Sequence, residues 1–205
     1  MVQEAENINS MDFDVLTEIG NIGAGNAVTA LSQMINARVD MYVPQVRMLT
    51  FQQLAEIIGG EETLVVGIML SLEEDIEGSM LFLMEADEAH QIVAQMMGYT
   101  SWESGEFTEI EQSALTEVGN VITGAYLSAI SKLTNLTIVP SIPYMAVDMA
   151  GAILSVPAIE FGKLGDQALL IESRFRDMDV DISGYFIMIP TLESYDSILS
   201  ALGIG

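Results

Sequence analysis

Two short stretches, TEIGNIGAGN at residues 17–26 and TEVGNVITGA at residues 116–125, hold side chains that could do chemistry. Each places a glutamate three residues before an asparagine: Glu18 with Asn21, and Glu117 with Asn120. On a helix this spacing puts both side chains on one face, about 4.5 Å apart along the axis. A carboxylate accepts hydrogen bonds or pairs with a cation. A carboxamide donates and accepts together, which suits holding a water molecule. Neither is a strong nucleophile, and no histidine or cysteine accompanies them. Self-contained hydrolysis is therefore poorly served. Positioning water for a reaction whose other groups sit on a second protein is well served, because phosphoryl transfer is mostly positioning and electrostatics.

Gly20, Gly23 and Gly25 raise the alternative of a phosphate-wrapping loop. Their spacing matches neither G-x-G-x-x-G after a strand nor G-x-x-x-x-G-K-[ST], and no lysine is near. Inside a helix, each glycine costs about 1 kcal/mol relative to alanine. Their use is then to let another backbone come close, from within this protein or from a partner. An isolated Glu/Asn pair is ordinarily just a solvated helix face. The repetition of the same two side chains argues against that here, since solvated positions need only be polar.

The repetition is general. At an offset of 99 residues, Leu16–Asn21 falls on Leu115–Asn120, Ala30 on Ala129, Ser32 on Ser131 and Pro44 on Pro143. Gly23 falls on Ile122 and Gly25 on Gly124. Such an internal match signals a duplicated unit, with repeats spanning about 10–105 and 106–205 of one body. Residues 12–36 have apolar residues at helical spacing, with Asp12 or Asp14 available as a cap. Residues 37–49 alternate as a strand, with Val39, Met41 and Val43 on one face before Pro44. A short helical segment, FQQLAEIIGG, follows. Two strands then flank an acidic turn at Glu73–Asp75, and a helix, acidic in its first turn, closes at Gly98. The second half restarts with the long helix in 107–135, an extended stretch, a poorly patterned stretch, two paired strands in QALLIESRFRDM and ISGYFIMIP, and a last helix in TLESYDSILSALG. The expected fold class is α+β: duplicated α-β-β-β-α halves with pseudo-two-fold symmetry, their strands joined in one sheet with the long helices packed outside.

Composition narrows the partners. Thirty acidic residues face six basic ones, a formal net charge of −24, with Lys132 and Lys163 the only lysines. Phosphate backbones need a basic footprint, so nucleic acid is excluded as a partner. Such self-repulsion is screened at molar salt, where the Debye length falls to about 3 Å, so the composition fits a halophilic-type acidic protein of a salty cytoplasm. Without cysteine there are no disulfides or thiolate sites. The single histidine, His90, cannot build a multi-histidine metal centre and is expected at the surface or half-buried. No signal peptide and no apolar run of membrane-spanning length is visible. The expectation is a soluble, cytoplasmic protein with no membrane partner, and a monomer.

Both halves match [DS]-x3-E-x2-N-x22-P, through Asp14, Glu18, Asn21 and Pro44, then Ser113, Glu117, Asn120 and Pro143. This pattern resembles the CheC family of chemotaxis phosphatases, related to CheX and the flagellar switch protein FliY, and the resemblance covers nearly the whole chain. It implies hydrolysis of the aspartyl phosphate on the response regulator CheY. On that resemblance Glu18 and Glu117 dock against a CheY lysine, and Asn21 and Asn120 orient the attacking water. Asp14 and Ser113 are supporting, and Pro44 and Pro143 structural. The resemblance implies no cofactor or metal of its own, with magnesium on CheY, and a second partner, the receptor deamidase CheD. Because Asp14 and Ser113 differ, the two sites need not be equally active. The alternative is a non-catalytic adaptor for CheY or CheD, or a flagellar switch component.

Overall fold

The computed structural model describes residues 10–35, 40–99, 105–161, 167–177 and 180–203. The elements of the first half are α1 (Ser10–Ile35), β1 (Asp40–Thr50), α2 (Phe51–Ile58), β2 (Leu64–Glu74), β3 (Gly78–Glu85) and α3 (Ala86–Met97). Those of the second are α4 (Glu109–Thr134), β4 (Ile138–Pro140), β5 (Tyr144–Met149), α5 (Ala150–Phe161), β6 (Gln167–Asp177), β7 (Val180–Pro190) and α6 (Leu192–Ala201). Both long helices have 26 residues and begin 99 positions apart, and α2 and α5 also begin 99 apart.

All seven strands form one sheet, in the order β1-β6-β7-β3-β2-β4, with β5 also paired to β2. Every pairing is antiparallel. Exchanging the halves reverses this order onto itself: β3 lies against β7 at the centre, β1 of the first half pairs with β6 of the second, and β5 of the second pairs with β2 of the first. An antiparallel central pair places the pseudo-two-fold perpendicular to the sheet. The duplicated α+β fold is therefore as expected, with the short helix FQQLAEII of the first half present as α2 and its counterpart in the second half, α5, added.

Helices cover both faces. Met80, Phe82 and Met84 of β3 point to the layer of α1, α3, α4 and α6, while Leu81 and Leu83 point to α2 and α5. With both faces buried, β3 carries an unbroken apolar run instead of alternation. The two matching prolines interrupt the same place in each half. The β1–β6 register shifts between Tyr42 and Gln45, around Pro44, and Pro143 lies in the gap between β4 and β5. Proline lacks the N–H that a continuous ladder needs and is tolerated at such breaks.

Several local expectations change. Helix α1 begins at Ser10, so Asp12 and Asp14 lie inside it and do not cap it. Strand β2 continues through Glu74, and the turn lies at 75–77. The poorly patterned stretch at 150–161 is helix α5. His90 is buried, not at the surface: its ring stacks on Phe107 with centroids 3.9 Å apart, and Nε2–H donates to the Gly105 carbonyl at 3.2 Å. Val39 and the first nine residues lie outside the described residues. Among the described residues, no helix is long and apolar enough to cross a membrane.

Candidate functional site

Helices α1 and α4 pack against each other on one face of the sheet. Leu115, Val118 and Ile122 of α4, and Ile19, Ala27 and Leu31 of α1, turn inward. A helix that buries Ile19 and Gly20 must turn Glu18 and Asn21 the other way, and the same holds for Val118 and Gly119 against Glu117 and Asn120. Accordingly Glu18, Glu117 and Asn120 are exposed and Asn21 is half-buried. Each helix thus presents its Glu/Asn pair on the outer face, away from the sheet.

The positions of these helices depend on two close approaches. A methyl group on Gly119 would come within 2.8 Å of Cγ2 of Ile68 in β2. One on Gly23 would run into the ring of Tyr126, with Cδ1 nearest and Cε1 at 2.9 Å. Tyr126 is fully buried and stacks on Phe186 of β7 with centroids 4.3 Å apart. Gly119 thus sets how deeply α4 sits on the sheet, and Gly23 how closely α1 meets α4. The mismatch between Gly23 and Ile122 in the repeat is this asymmetry of core packing: one helix gives up a side chain where the other supplies an aromatic ring.

The four side chains are not tied up internally. Among the described residues, none of Glu18, Asn21, Glu117 and Asn120 makes a hydrogen bond or ion pair. Ser113 differs: its hydroxyl donates to the Glu109 carbonyl at 2.9 Å, one turn back in the helix. Asp14 lies in α1 one turn before Glu18. Of the two matched prolines, neither belongs to this face; both interrupt the sheet. Among the described residues, no three His, Cys, Asp or Glu side chains come together as a metal-binding group.

Two exposed carboxylates, two unengaged carboxamides and no cation pairing with them, among the described residues, form a face suited to a protein partner with a basic rim. Glu18, Asn21, Glu117 and Asn120, the four residues picked out from the sequence, lie on α1 and α4. The sequence did not separate Gly25 and Gly124 from the other glycines. Their signal was the coincidence of two glycines at the same position of the repeat.

The chain matches the model of the CheC-like family at residues 11–48 and 110–143, the segments holding both Glu/Asn pairs. It is 34% identical over 200 residues to the CheY-P phosphatase CheC of Bacillus subtilis (strain 168), covering 96% of each chain. It is 29% identical over 132 residues to the flagellar motor switch phosphatase FliY of the same organism, covering 63% of this chain and 34% of that one. Among solved structures, Thermotoga maritima FliY superposes with a TM-score of 0.76 at 21% identity, over 96% of this chain and 98% of that one, a likeness of fold. The identity to the Bacillus protein runs from end to end and the family segments fall on the two duplicated helices, so the chain belongs to the CheC-like family.

Proposed function

We propose that the protein is a phosphatase of the aspartyl phosphate on a CheY-type response regulator, with one site on each of α1 and α4. The observation that supports this is the pair of outward-facing, unengaged Glu/Asn sets, at matching positions of two helices, in a chain 34% identical to a CheY-P phosphatase. Glu18 or Glu117 pairs with a lysine at the rim of the regulator's site and docks the helix. Asn21 or Asn120 then enters that site. Its carboxamide accepts from and donates to one water, fixing the water oxygen in line with phosphorus. The new bond joins water oxygen to phosphorus, and the bond from phosphorus to the aspartate oxygen breaks. The products are a free carboxylate and inorganic phosphate. The asparagine supplies orientation, not a proton-accepting base, so its contribution is entropic and electrostatic. Magnesium is, on this reading, held by the regulator. A monomer in the cytoplasm, with CheD as a second partner, completes the reading.

The test follows phosphate release from acetyl-phosphate-charged CheY. Asn21→Ala with Asn120→Ala should reduce the acceleration by roughly a hundredfold or more, the scale for losing a group that acts only in the transition state. Binding of CheY should persist. Wild-type acceleration in the double variant would refute the mechanism. Binding without acceleration in the wild type would favour the adaptor reading.

A further inference from the structure

Four of the five glycines of the two long helices are of two kinds. Gly23 and Gly119 are explained by Tyr126 and Ile68, which leave no room for a side chain. Gly25 and Gly124 have no such reason. Both are exposed, and a methyl group added to either meets no atom within 4 Å. Alanine would fit both positions and would favour the helix by about 1 kcal/mol each. Yet the two occupy the same position of the repeat, 99 residues apart.

Their place on the helices is informative. Gly25 lies four residues after Asn21 and seven after Glu18, and Gly124 stands in the same relation to Asn120 and Glu117. Positions i, i+3 and i+7 share one face, so each glycine continues the outward Glu/Asn stripe, about 6 Å along the axis from its asparagine. The pseudo-two-fold is perpendicular to the sheet, so α1 and α4 run antiparallel. The contact of Gly23 with Tyr126 then places their closest approach near residues 24–25 of α1 and 123–124 of α4. Gly25 and Gly124 therefore lie close to the pseudo-axis on the outer face, with Asn21 to one side and Asn120 to the other.

We propose that Gly25 and Gly124 form a shared floor on which the main chain of the phosphorylated regulator seats, whichever asparagine is in use. A carboxamide is a short side chain. For it to reach a phosphoryl group recessed in another protein, the helix backbone must come close to that protein's main chain. A Cβ one turn away would hold the two surfaces apart by the thickness of a methyl group. Glycine is the residue that permits such an approach. The occupant is a phosphoprotein with a basic rim, because Glu18 and Glu117 beside the floor are exposed carboxylates without a cation among the described residues. The identity of the regulator rests on the proposed phosphatase reading; the floor itself rests on the geometry.

The experiment compares the full chain with Gly25→Ala, Gly124→Ala, the double alanine variant and a double leucine variant. Each is measured for thermal unfolding, for binding to CheY held in its active form by beryllium trifluoride, and for dephosphorylation of charged CheY. The alanine variants should unfold at the same temperature as the wild type or higher. Kd and KM should rise roughly tenfold in the double alanine variant and further with leucine, while kcat changes little, the pattern of lost docking. Unchanged Kd in folded double alanine and double leucine variants would overturn the floor. A wild type that binds without turning over phosphate would remove the phosphatase reading, and the binding arm would still decide the floor. A wild type that does not bind active CheY would overturn both.

Discussion

Glu18 and Glu117 gain little from anything within their own chain, and on the proposed function they contribute in a complex. An exposed ion pair is worth about 0.2–1 kcal/mol, but a pair enclosed at a protein interface couples more strongly. Replacing both by glutamine should therefore raise KM for charged CheY by about three- to tenfold, with kcat within about twofold. The salt dependence of KM should also flatten, because a screened, long-range attraction has been removed. Initial rates at several KCl concentrations measure both effects, and a fall in kcat at constant KM would move the glutamates into the chemistry. The recurrence of these residues was visible in the sequence because packing does not constrain surface side chains, so nothing in the core explains the same two residues in both halves. The glycines were legible only as a group. Sorting Gly23 and Gly119 from Gly25 and Gly124 required knowing that Tyr126 and Ile68 stand against the first pair. His90 could have been placed better. It shares its face with Ala86, Ala89 and Val93, all buried at helical spacing, and a lone histidine among them follows the face and not its own polarity.

Helix α4 starts with a cap that its sequence, FTEIEQ, spells out. The Thr108 hydroxyl accepts from the Glu111 N–H at 3.4 Å, and the Glu111 carboxylate accepts from the Thr108 N–H at 2.7 Å and from its hydroxyl at 2.8 Å. These bonds, the backbone one foremost, hold the Glu111 carboxyl below the usual glutamate range. A carboxyl with a depressed folded pKa stabilises the fold fully above its unfolded value and loses that contribution as pH falls toward the folded value. Thr108→Ala should thus cost about 1 kcal/mol near neutrality. It should also make stability less sensitive to acid below about pH 4.5, where the capped glutamate is being protonated; urea unfolding from pH 3 to 7 checks both. If α4 positions Glu117 and Asn120 through packing on Ile68 rather than through its first turn, kcat should stay close to wild type. Element boundaries were readable where periodicity and caps agreed, as in α3 and α4. Helix α5 escaped because AGAILSVPAIEF is apolar nearly throughout, leaving no polar face to give a period, and Pro157 sits inside it.

At the scale of the whole molecule, the order of strands was beyond local patterning. Pairing β1 with β6 and β5 with β2 brings together residues at least 75 positions apart, and only the duplication hinted that each half completes the other. That interlocking predicts that neither half unfolds alone, since removing one half strips a neighbour from β1, β2 and β3 of the other. The charge acts on this same unit. A net charge of −24 repels itself at low ionic strength, and some of the repulsion is concentrated: Glu73, Glu74, Asp75 and Glu77 crowd the turn between β2 and β3. Asp75 has a local use, accepting from the Thr137 N–H at 2.7 Å, whereas Glu74 adopts φ +79°, a conformation that non-glycine residues seldom take. At about 0.1 M salt the Debye length of about 10 Å leaves neighbouring carboxylates in contact; at about 1 M it falls to about 3 Å and most of that repulsion is gone. Thermal unfolding should accordingly be one transition, observed alike by far- and near-ultraviolet circular dichroism, and it should move up by at least about 4 °C from 0.1 to 2 M KCl, the shift that about 1–2 kcal/mol produces in a chain of this size. Potassium sulfate is the wrong salt for this test, because sulfate strengthens burial in any protein. Two separate transitions would mean that the halves fold independently despite the shared sheet, and an unchanged midpoint in KCl would mean that the acidity serves something other than stability in a concentrated cytoplasm.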